Sequence, residues 1–252
     1  MEIVSNWSIT AVDTASSSSD LVRNAAASGA PEGTGIIVAT QSAGRGRRGA
    51  NWKSPSGGMY FSLLLRPTFP VQQWFGLSFI AALAVRDELA ALLADQVVGV
   101  KWPNDVLVGE GAARGKMSGI LIEAVGDAVI IGTGVNIAPV DTPDEAKQPA
   151  VALNDFGGNI AAIDLATRYQ ANLAARYAHY TAHGFAPVRE EWLDVCVHRR
   201  SEAANRLTVH GGDGAITGRF EDLATDGAMV LLDDDGQKHH ISTGDVELIG
   251  SL

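Results

Sequence analysis

Cysteine is almost absent: Cys196 is the single one in 252 residues, which excludes an intramolecular disulfide. Sitting in a run that reads as helical, it is expected to be a small apolar filler rather than a nucleophile. Long apolar runs are missing too. The longest, Gly76 to Val85, is broken by Ser78 and ends at Arg86 and Asp87, far short of the roughly 18 residues a spanning helix needs, so no membrane contact is expected. Met1 to Thr10 has neither a positive n-region nor an apolar h-region, and the expected location is the cytoplasm. Positive charge is scarce: 19 lysines and arginines face 29 acids, for a net charge of -10. That balance opposes non-specific binding to a phosphate backbone, and no nucleic-acid partner is expected. The local exception is Arg45, Arg47 and Arg48, three arginines in a Gly-rich turn, which suit a small anion better than a duplex.

What is present suffices for a folded core, since hydrophobic residues make up 46% and charged residues 19%. A short strand at Trp7 to Val12 leads to Ser16 to Ser19, which cap a helix through Leu21, Val22, Ala25 and Ala26; Gly29 and Pro31 end it. The β-branched run Gly35 to Thr40 is a strand feeding the irregular loop Gln41 to Gly49. Met59 to Leu65 reads as a buried strand and Leu77 to Leu93 as a helix. Val98 to Trp102 and Val106 to Val108 flank a Pro-Asn-Asp corner, and Ser118 to Ala124 with Ala128 to Gly132 form a hairpin turned at Gly126-Asp127. Pro139 to Pro149 is a surface loop; helices are expected over Ala161 to Tyr180 and Val188 to His198. From Arg206 the character changes to short strands with Gly and Asp turns, the pattern of a small antiparallel barrel. The expected class is therefore α+β, a mixed sheet flanked by helices over residues 1–201 and a barrel over 202–252, with the boundary near Glu202.

Two nucleotide motifs are nearly present and both fail. Gly44-x-Gly46-x-x-Gly49 has the letters of a dinucleotide fingerprint, but Asn51 to Gly58 reads as a second loop, not the helix whose N-terminus would receive a pyrophosphate. Gly109 to Lys116 has five residues between Gly109 and Gly115-Lys116 where a P-loop has four, and Met117 replaces Ser or Thr. The arginine loop itself offers exposed backbone N–H groups and fixed positive charge, as phosphoryl or adenylyl chemistry requires, and is expected to be mobile when empty. Its bland alternative is a solvated basic turn.

Four blocks decide between these. Gln41-Ser42-Ala43-Gly44-Arg45-Gly46-Arg47-Arg48-Gly49 with Trp52, Lys101-Trp102-Pro103-Asn104-Asp105, Lys116 to Glu123, and Gly132-Thr133-Gly134-Val135-Asn136 occur in an order and spacing that closely resembles the bacterial biotin protein ligases. The resemblance spans essentially the whole chain. It implies a class II synthetase-like catalytic domain with a C-terminal SH3-like barrel. By that resemblance Gly44, Arg45, Gly46 and Arg47, with Arg48 beside them, enclose an acyl-phosphate, and Gln41 touches the biotin end. Lys116 stabilises the charge of the forming adenylate, and Asp105 lies near the ribose, the Mg²⁺ or the incoming amine. Gly119, Ile120, Gly132 and Gly134 pass close to the biotin rings, Asn136 faces the adenosine, and Lys101, Asn104 and Trp52 complete the site, Trp52 covering adenine or the loop. Trp74 and Trp192 are packing residues. Where the family has Ser-Thr-Asn before the first helix, this chain has Ser16-Ser17-Ser18, which keeps hydroxyls for the ureido group and loses an amide.

The implied reaction takes ATP and biotin as substrates with Mg²⁺, forms biotinyl-adenylate, and transfers biotin to a lysine in the biotin carboxyl carrier domain of an acyl-CoA carboxylase. No protein-held metal site is implied. The catalytic pattern begins within the first dozen residues, so a ligase without repressor activity is expected, as monomer or homodimer. The competing readings are a lipoate or octanoate ligase, separated by the Lys-Trp-Pro-Asn-Asp corner that lipoate ligases lack, and a non-catalytic biotin-binding regulator.

Overall fold

The computed structural model describes residues 7–110, 114–142, 146, 148–199, 205–211 and 214–248. A seven-stranded sheet is built from β1 (Ser8–Ala15), β2 (Thr34–Gln41), β3 (Met59–Leu65), β4 (Val98–Lys101), β5 (Asp105–Val108), β6 (Gly115–Val125) and β7 (Ala128–Val135). Their spatial order is β1-β2-β3-β7-β6-β5-β4. Only the β1–β2 pair is parallel, so the sheet is mixed as the sequence pattern indicated. The β6–β7 hairpin turns at Gly126 and Asp127, with Gly126 at φ 62, the left-handed conformation that a two-residue turn requires.

Strand period and helix length together place the site. β3 is buried at every residue, and its alternate side chains enter two different cores. Phe61, Leu63 and Leu65 face the main core with α2 (Gly76–Leu92), α3 (Ala162–His183) and α4 (Phe185–Val195). Leu64, with Ile130 of β7, instead packs on Val22 of α1 (Ser18–Ala27). Residues directly paired across strands share a face. The α1 face therefore also carries Ser62 opposite Gly132, Tyr60 opposite Gly134, Gly119 opposite Gly134 and Asp105 opposite Gly119. The ten residues of α1 reach about 15 Å and cover only the Leu64–Ile130 end. The remaining glycine-rich stretch of that face is an open trough.

The C-terminal strands β8 (Arg206–Gly211), β9 (Gly214–Leu223), β10 (Met229–Leu232), β11 (Lys238–Ile241) and β12 (Asp245–Leu248) form an antiparallel sheet in the order β11-β10-β9-β8-β12. It is consistent with an SH3-like module. Its edge strands β11 and β12 are not paired with each other among the described residues, so the expected barrel is an open five-stranded sheet. Leu207, Phe220, Leu223, Met229 and Leu231 belong to the same core cluster as α2 and α4, and Trp102 Nε1 donates to Gly227 O at 3.0 Å. Module and main sheet thus share one core. The boundary expected near Glu202 lies outside the described residues.

Two helical expectations are corrected. The second late helix begins at Phe185 rather than Val188, because Pro187 is tolerated in a first turn where its missing N–H has no partner to lose. It ends at Val195, so Cys196 is not helical: the buried residue is extended and bridges Val100 beside β4. Trp192 is fully buried, edge-on to Phe79 at 5.6 Å, and Trp74 donates to Phe69 O; both pack, as expected.

Candidate active site

The trough opens into a cavity of about 530 Å³. Its floor is backbone. A Cβ added at Gly134 would come within 2.5 Å of Trp52 Cε2, and one at Gly119 within 2.9 Å of Trp52 Cζ3 and 3.2 Å of Lys116 Nζ. The Trp52 indole is thus the roof over glycine backbone, and its Nε1 is buried with no hydrogen-bond partner among the described residues.

At the closed end, hydroxyl groups gather. Ser17 caps α1 and accepts from Ser19 N at 3.1 Å. Ser18 Oγ and Ser19 Oγ both meet the fully buried Ser62 Oγ, at 2.8 and 3.0 Å. Gln41 Oε1 accepts from Ser18 N at 2.7 Å while its Nε2 donates to Ser54 Oγ at 2.8 Å. Of the four consecutive serines, Ser17, Ser18 and Ser19 line the cavity and Ser16 does not. Ser16 is turned outward, donating to Asp20 Oδ2 at 3.0 Å.

At the open end the charges are paired. Lys116 Nζ lies 2.7 Å from Asp105 Oδ1 and 5.3 Å from the centre of the Trp52 ring. Asn104 is nine-tenths buried and donates to Ile120 O, which locks the corner onto β6. Asn136 is a cross-tie: its Nδ2 donates to Lys116 O at 3.4 Å and Val151 O at 3.3 Å. Lys101 is buried on β4.

The arginine loop is folded over this end. Gly46 N donates to Ala50 O, Ala50 N to Arg47 O and Trp52 N to Gly44 O, and Arg47–Gly49 form one 3-10 turn with Arg48 in the left-handed region at φ 53. No α-helix follows, so the dinucleotide reading stays excluded. Gly44 is not on the cavity wall; a Cβ there would lie 2.5 Å from Trp52 O, and its role is to let the chain cross itself. Arg45 is bound bidentately by Asp20. Their hydrogen bonding holds the Asp20 carboxyl below its ordinary value and raises the Arg45 guanidinium, while burial lowers Arg47. Arg47 donates to Asn104 Oδ1, Gly244 O and Thr243 Oγ1, and Arg48 to His210 O and Asp245 Oδ2.

Of the residues singled out in the sequence, the cavity collects Ser17, Gln41, Arg45, Gly46, Arg47, Arg48, Trp52, Lys101, Asn104, Asp105, Lys116, Gly119, Ile120, Gly132, Gly134 and Asn136. The serine run before α1 reaches the cavity through Ser17 and Ser18, and sequence reasoning missed Ser19, Tyr60, Gln148 and Asp245. Tyr60 had no signal in the sequence beyond its place in a buried strand, and its position depends on β3 lying between β2 and β7. Asp245 had no local signal, lying 197 positions from Arg48. The loop before Pro149 gains a place, since Val140, Asp141, Ala146 and Gln148 form one wall. Asp105, Asp141 and Asp245 supply its carboxylates, but no three His, Cys, Asp or Glu side chains form a metal cage among the described residues.

Residues 14–136 match the model of the Biotin/lipoate A/B protein ligase family, and residues 206–249 that of the Biotin protein ligase C terminal domain. The Biotin--[acetyl-CoA-carboxylase] ligase of Mycobacterium tuberculosis is 34% identical over 245 residues, 92% of this chain and 85% of that protein. The chain belongs to the biotin protein ligases. The Bifunctional ligase/repressor BirA of Bacillus subtilis is 34% identical over 255 residues, which cover 94% of this chain and 72% of that relative. The fold agrees with the biotin protein ligase from Aquifex aeolicus in complex with biotin and ATP, at a TM-score of 0.79 and 24% identity over 95% of this chain and 97% of that one. Family membership accounts for a floor of glycine with a hydroxyl-lined end and a cationic end. No helix among the described residues is long and apolar enough to cross a membrane.

Proposed function

We infer that the protein is an ATP-dependent biotin protein ligase that forms biotinyl-adenylate and passes biotin to a lysine of a carrier domain. The observation that carries this is the trough itself. A flat bicyclic ligand needs bare backbone beneath it, and Gly119, Gly132 and Gly134 supply it between the Ser17–Ser19 hydroxyls and the cations Lys116 and Arg47. The ureido group meets the hydroxyl end, which leaves the carboxylate at the cationic end.

The biotin carboxylate attacks the α-phosphorus of ATP; the new P–O bond replaces the bond to pyrophosphate, which leaves. Fixed positive charge aimed at the oxygens where charge develops lowers that barrier, and Lys116 and Arg47 provide it. Asp105, Asp141 and Asp245 on the cavity wall would hold a Mg²⁺ ion arriving with ATP, which would supply neutralising charge at the phosphates. The carrier lysine then attacks the acyl carbon and AMP departs, so no covalent enzyme intermediate forms. Asp105, held against Lys116, orients that amine, and the Trp52 roof keeps water from the mixed anhydride until the amine arrives. The carrier is the biotin carboxyl carrier domain of an acyl-CoA carboxylase.

Mass spectrometry of a purified carrier domain, incubated with the protein, Mg·ATP and either biotin or lipoate, tests the reading. A mass increase of one biotin is expected. An increase with lipoate alone moves the protein to the sister activity, and tight biotin binding with no transfer makes it a regulator.

A further inference from the structure

The three guanidinium groups of the loop are tethered in different ways. Arg47 and Arg48 reach toward the C-terminal module, whereas Arg45 turns back to α1. Its Nη1 and Nη2 donate to Asp20 Oδ2 and Oδ1 at 3.0 and 2.7 Å, and Nη2 lies 3.7 Å from Glu123 Oε2 on β6. Arg23 closes the square, 2.8 Å from Asp20 Oδ1 and 2.6 Å from Glu123 Oε1. Ser16 gives Asp20 a fourth hydrogen bond. Two acids and two arginines therefore tie the first half of α1, the C-terminal end of β6 and the entry of the loop into one charge-neutral cluster.

A guanidinium that faces a carboxylate through two parallel N–H groups has committed the fork with which it would grip a phosphate. To bind an adenylate phosphate in that way, Arg45 must leave Asp20 and Glu123, and two carboxylates would then sit beside the phosphate with only Arg23 to balance them. Arg47 is differently placed. Its acceptors are the neutral oxygens of Asn104, Thr243 and Gly244 at 3.3 to 3.4 Å, so its charge remains available to an anion in the cavity it lines. An isolated ion pair at a surface holds geometry weakly, but a bidentate arginine inside a network holds it well.

We propose that Asp20 and Glu123 are positioning residues that latch the loop shut through Arg45, and that Arg45 is the loop's anchor while Arg47 is its phosphate-facing arginine. What the loop closes over rests on the ligase reading above; the latch does not. Opening of the loop is then governed by the Asp20–Arg45 pair, and the intermediate is retained for as long as the pair holds.

Limited trypsin digestion of the ligand-free full chain reads the latch directly, because the loop carries its own cleavage sites at Arg45, Arg47 and Arg48. Cleavage that follows the open population is expected to be about tenfold faster in Asp20→Asn than in the wild type. About 1 M salt should speed cleavage of the wild type more than that of the variant and so narrow the gap between them, since screening acts on the pair the variant lacks as well as on the Arg48–Asp245 pair both share. With biotin and Mg·ATP, Asp20→Asn should release biotinyl-adenylate about tenfold faster while the KM for biotin stays within about twofold, and Asp20→Glu should restore retention. Glu123→Gln should move both readouts in the same direction, which guards against a folding defect peculiar to one site. The proposal is overturned if both amide variants are cleaved and release adenylate at the wild-type rate while Arg45→Ala abolishes adenylate formation, for Arg45 would then touch the substrate itself. If the wild type forms no adenylate at all, the ligase reading fails and the digestion alone decides the latch.

Discussion

The indole of Trp52 lies on the backbone of Gly134, so close that a Cβ there would sit 2.5 Å from Cε2 and 2.6 Å from Nε1. Roof and floor are in contact, and a ligand must enter by parting them. Gly134→Ala puts a methyl group where neither a strand paired on both sides nor a roofed indole can yield easily. Overpacking of this kind costs about 1–3 kcal/mol. The variant is expected to melt lower, to shift Trp52 emission to the red as the indole is pushed into water, and to lose adenylate formation more steeply than stability. An unchanged emission spectrum with normal activity would show that the roof is not packed on this glycine.

Ser62 is the one polar residue in the buried strand Met59-Tyr60-Phe61-Ser62-Leu63-Leu64-Leu65, and it accepts or donates to both Ser18 and Ser19. Ser62→Ala leaves two hydroxyls at the closed end without their shared partner, at about 1 kcal/mol. The expected effect is a KM for biotin raised several-fold with kcat close to the wild-type value, because the hydroxyl acts through the α1 serines and not on the reacting atoms. Steady-state kinetics with biotin as the varied substrate separates the two.

Much of this site is legible in the sequence because its residues are local and chemically unusual. The arginine loop, the Lys101 to Asp105 corner and Lys116 lie in short blocks, and the glycines of β6 and β7 break strands that are otherwise apolar. Topology hid the rest. Tyr60 faces the trough, and Ser62 sits buried beneath Ser18 and Ser19, only because β3 lies between β2 and β7, and Asp245 reaches Arg48 only because the C-terminal sheet folds back over the loop. Asp20 reads locally as an ordinary first-turn acid of α1; its bond to Arg45 depends on tertiary placement. α4 begins three residues before Val188 because a first turn admits Pro187, which has no N–H to lose there.

The C-terminal sheet is expected to be inseparable from the catalytic domain. Phe75 and Phe79 pack against Gly227, Trp102 donates to Gly227 O, and Phe220 stacks on the buried His198 at 5.3 Å. Removing residues 206–252 strips the cover from these rings. Exposed apolar patches of several hundred Å² drive association. The truncated chain is expected to aggregate on purification and to give no cooperative melt, as scanning calorimetry and light scattering would show; a monomeric, cooperatively melting fragment would contradict the shared core.

The Asp20–Arg45 pair sets an acid limit. Its hydrogen bonds lower the Asp20 carboxyl from its ordinary 3.8, so the pair's contribution is fully present above that value and is lost as pH falls through the lowered one. Asp20 and Arg45 are about a third exposed, and solvent screening limits the contribution to about 1 kcal/mol. Urea unfolding of wild type and Asp20→Asn should differ by a constant amount from about pH 5 to about pH 8 and converge below about pH 3. A gap that instead changes near neutrality would point to a different titrating group.

On the ligase reading proposed above, Lys116 and Asp105, 2.7 Å apart, are expected to serve different half-reactions. In that reading Lys116 would carry the positive charge that the forming adenylate needs, and removing one such donor from a preorganised site costs about 10²–10³ in rate. Lys116→Ala should therefore lose adenylate formation by that factor, and the unpaired Asp105 should aggravate the loss by repelling the phosphates. Asp105→Asn keeps the ammonium and removes only its partner, so adenylate formation should fall by less than about tenfold, whereas transfer to the carrier lysine should fall by about 10²-fold, within the range for loss of an orienting or proton-accepting group. Quenched-flow measurement of biotinyl-adenylate, alongside labelling of the carrier from preformed adenylate, resolves the steps. Equal losses in both steps for Asp105→Asn would mean that the carboxylate serves only to hold Lys116 in place.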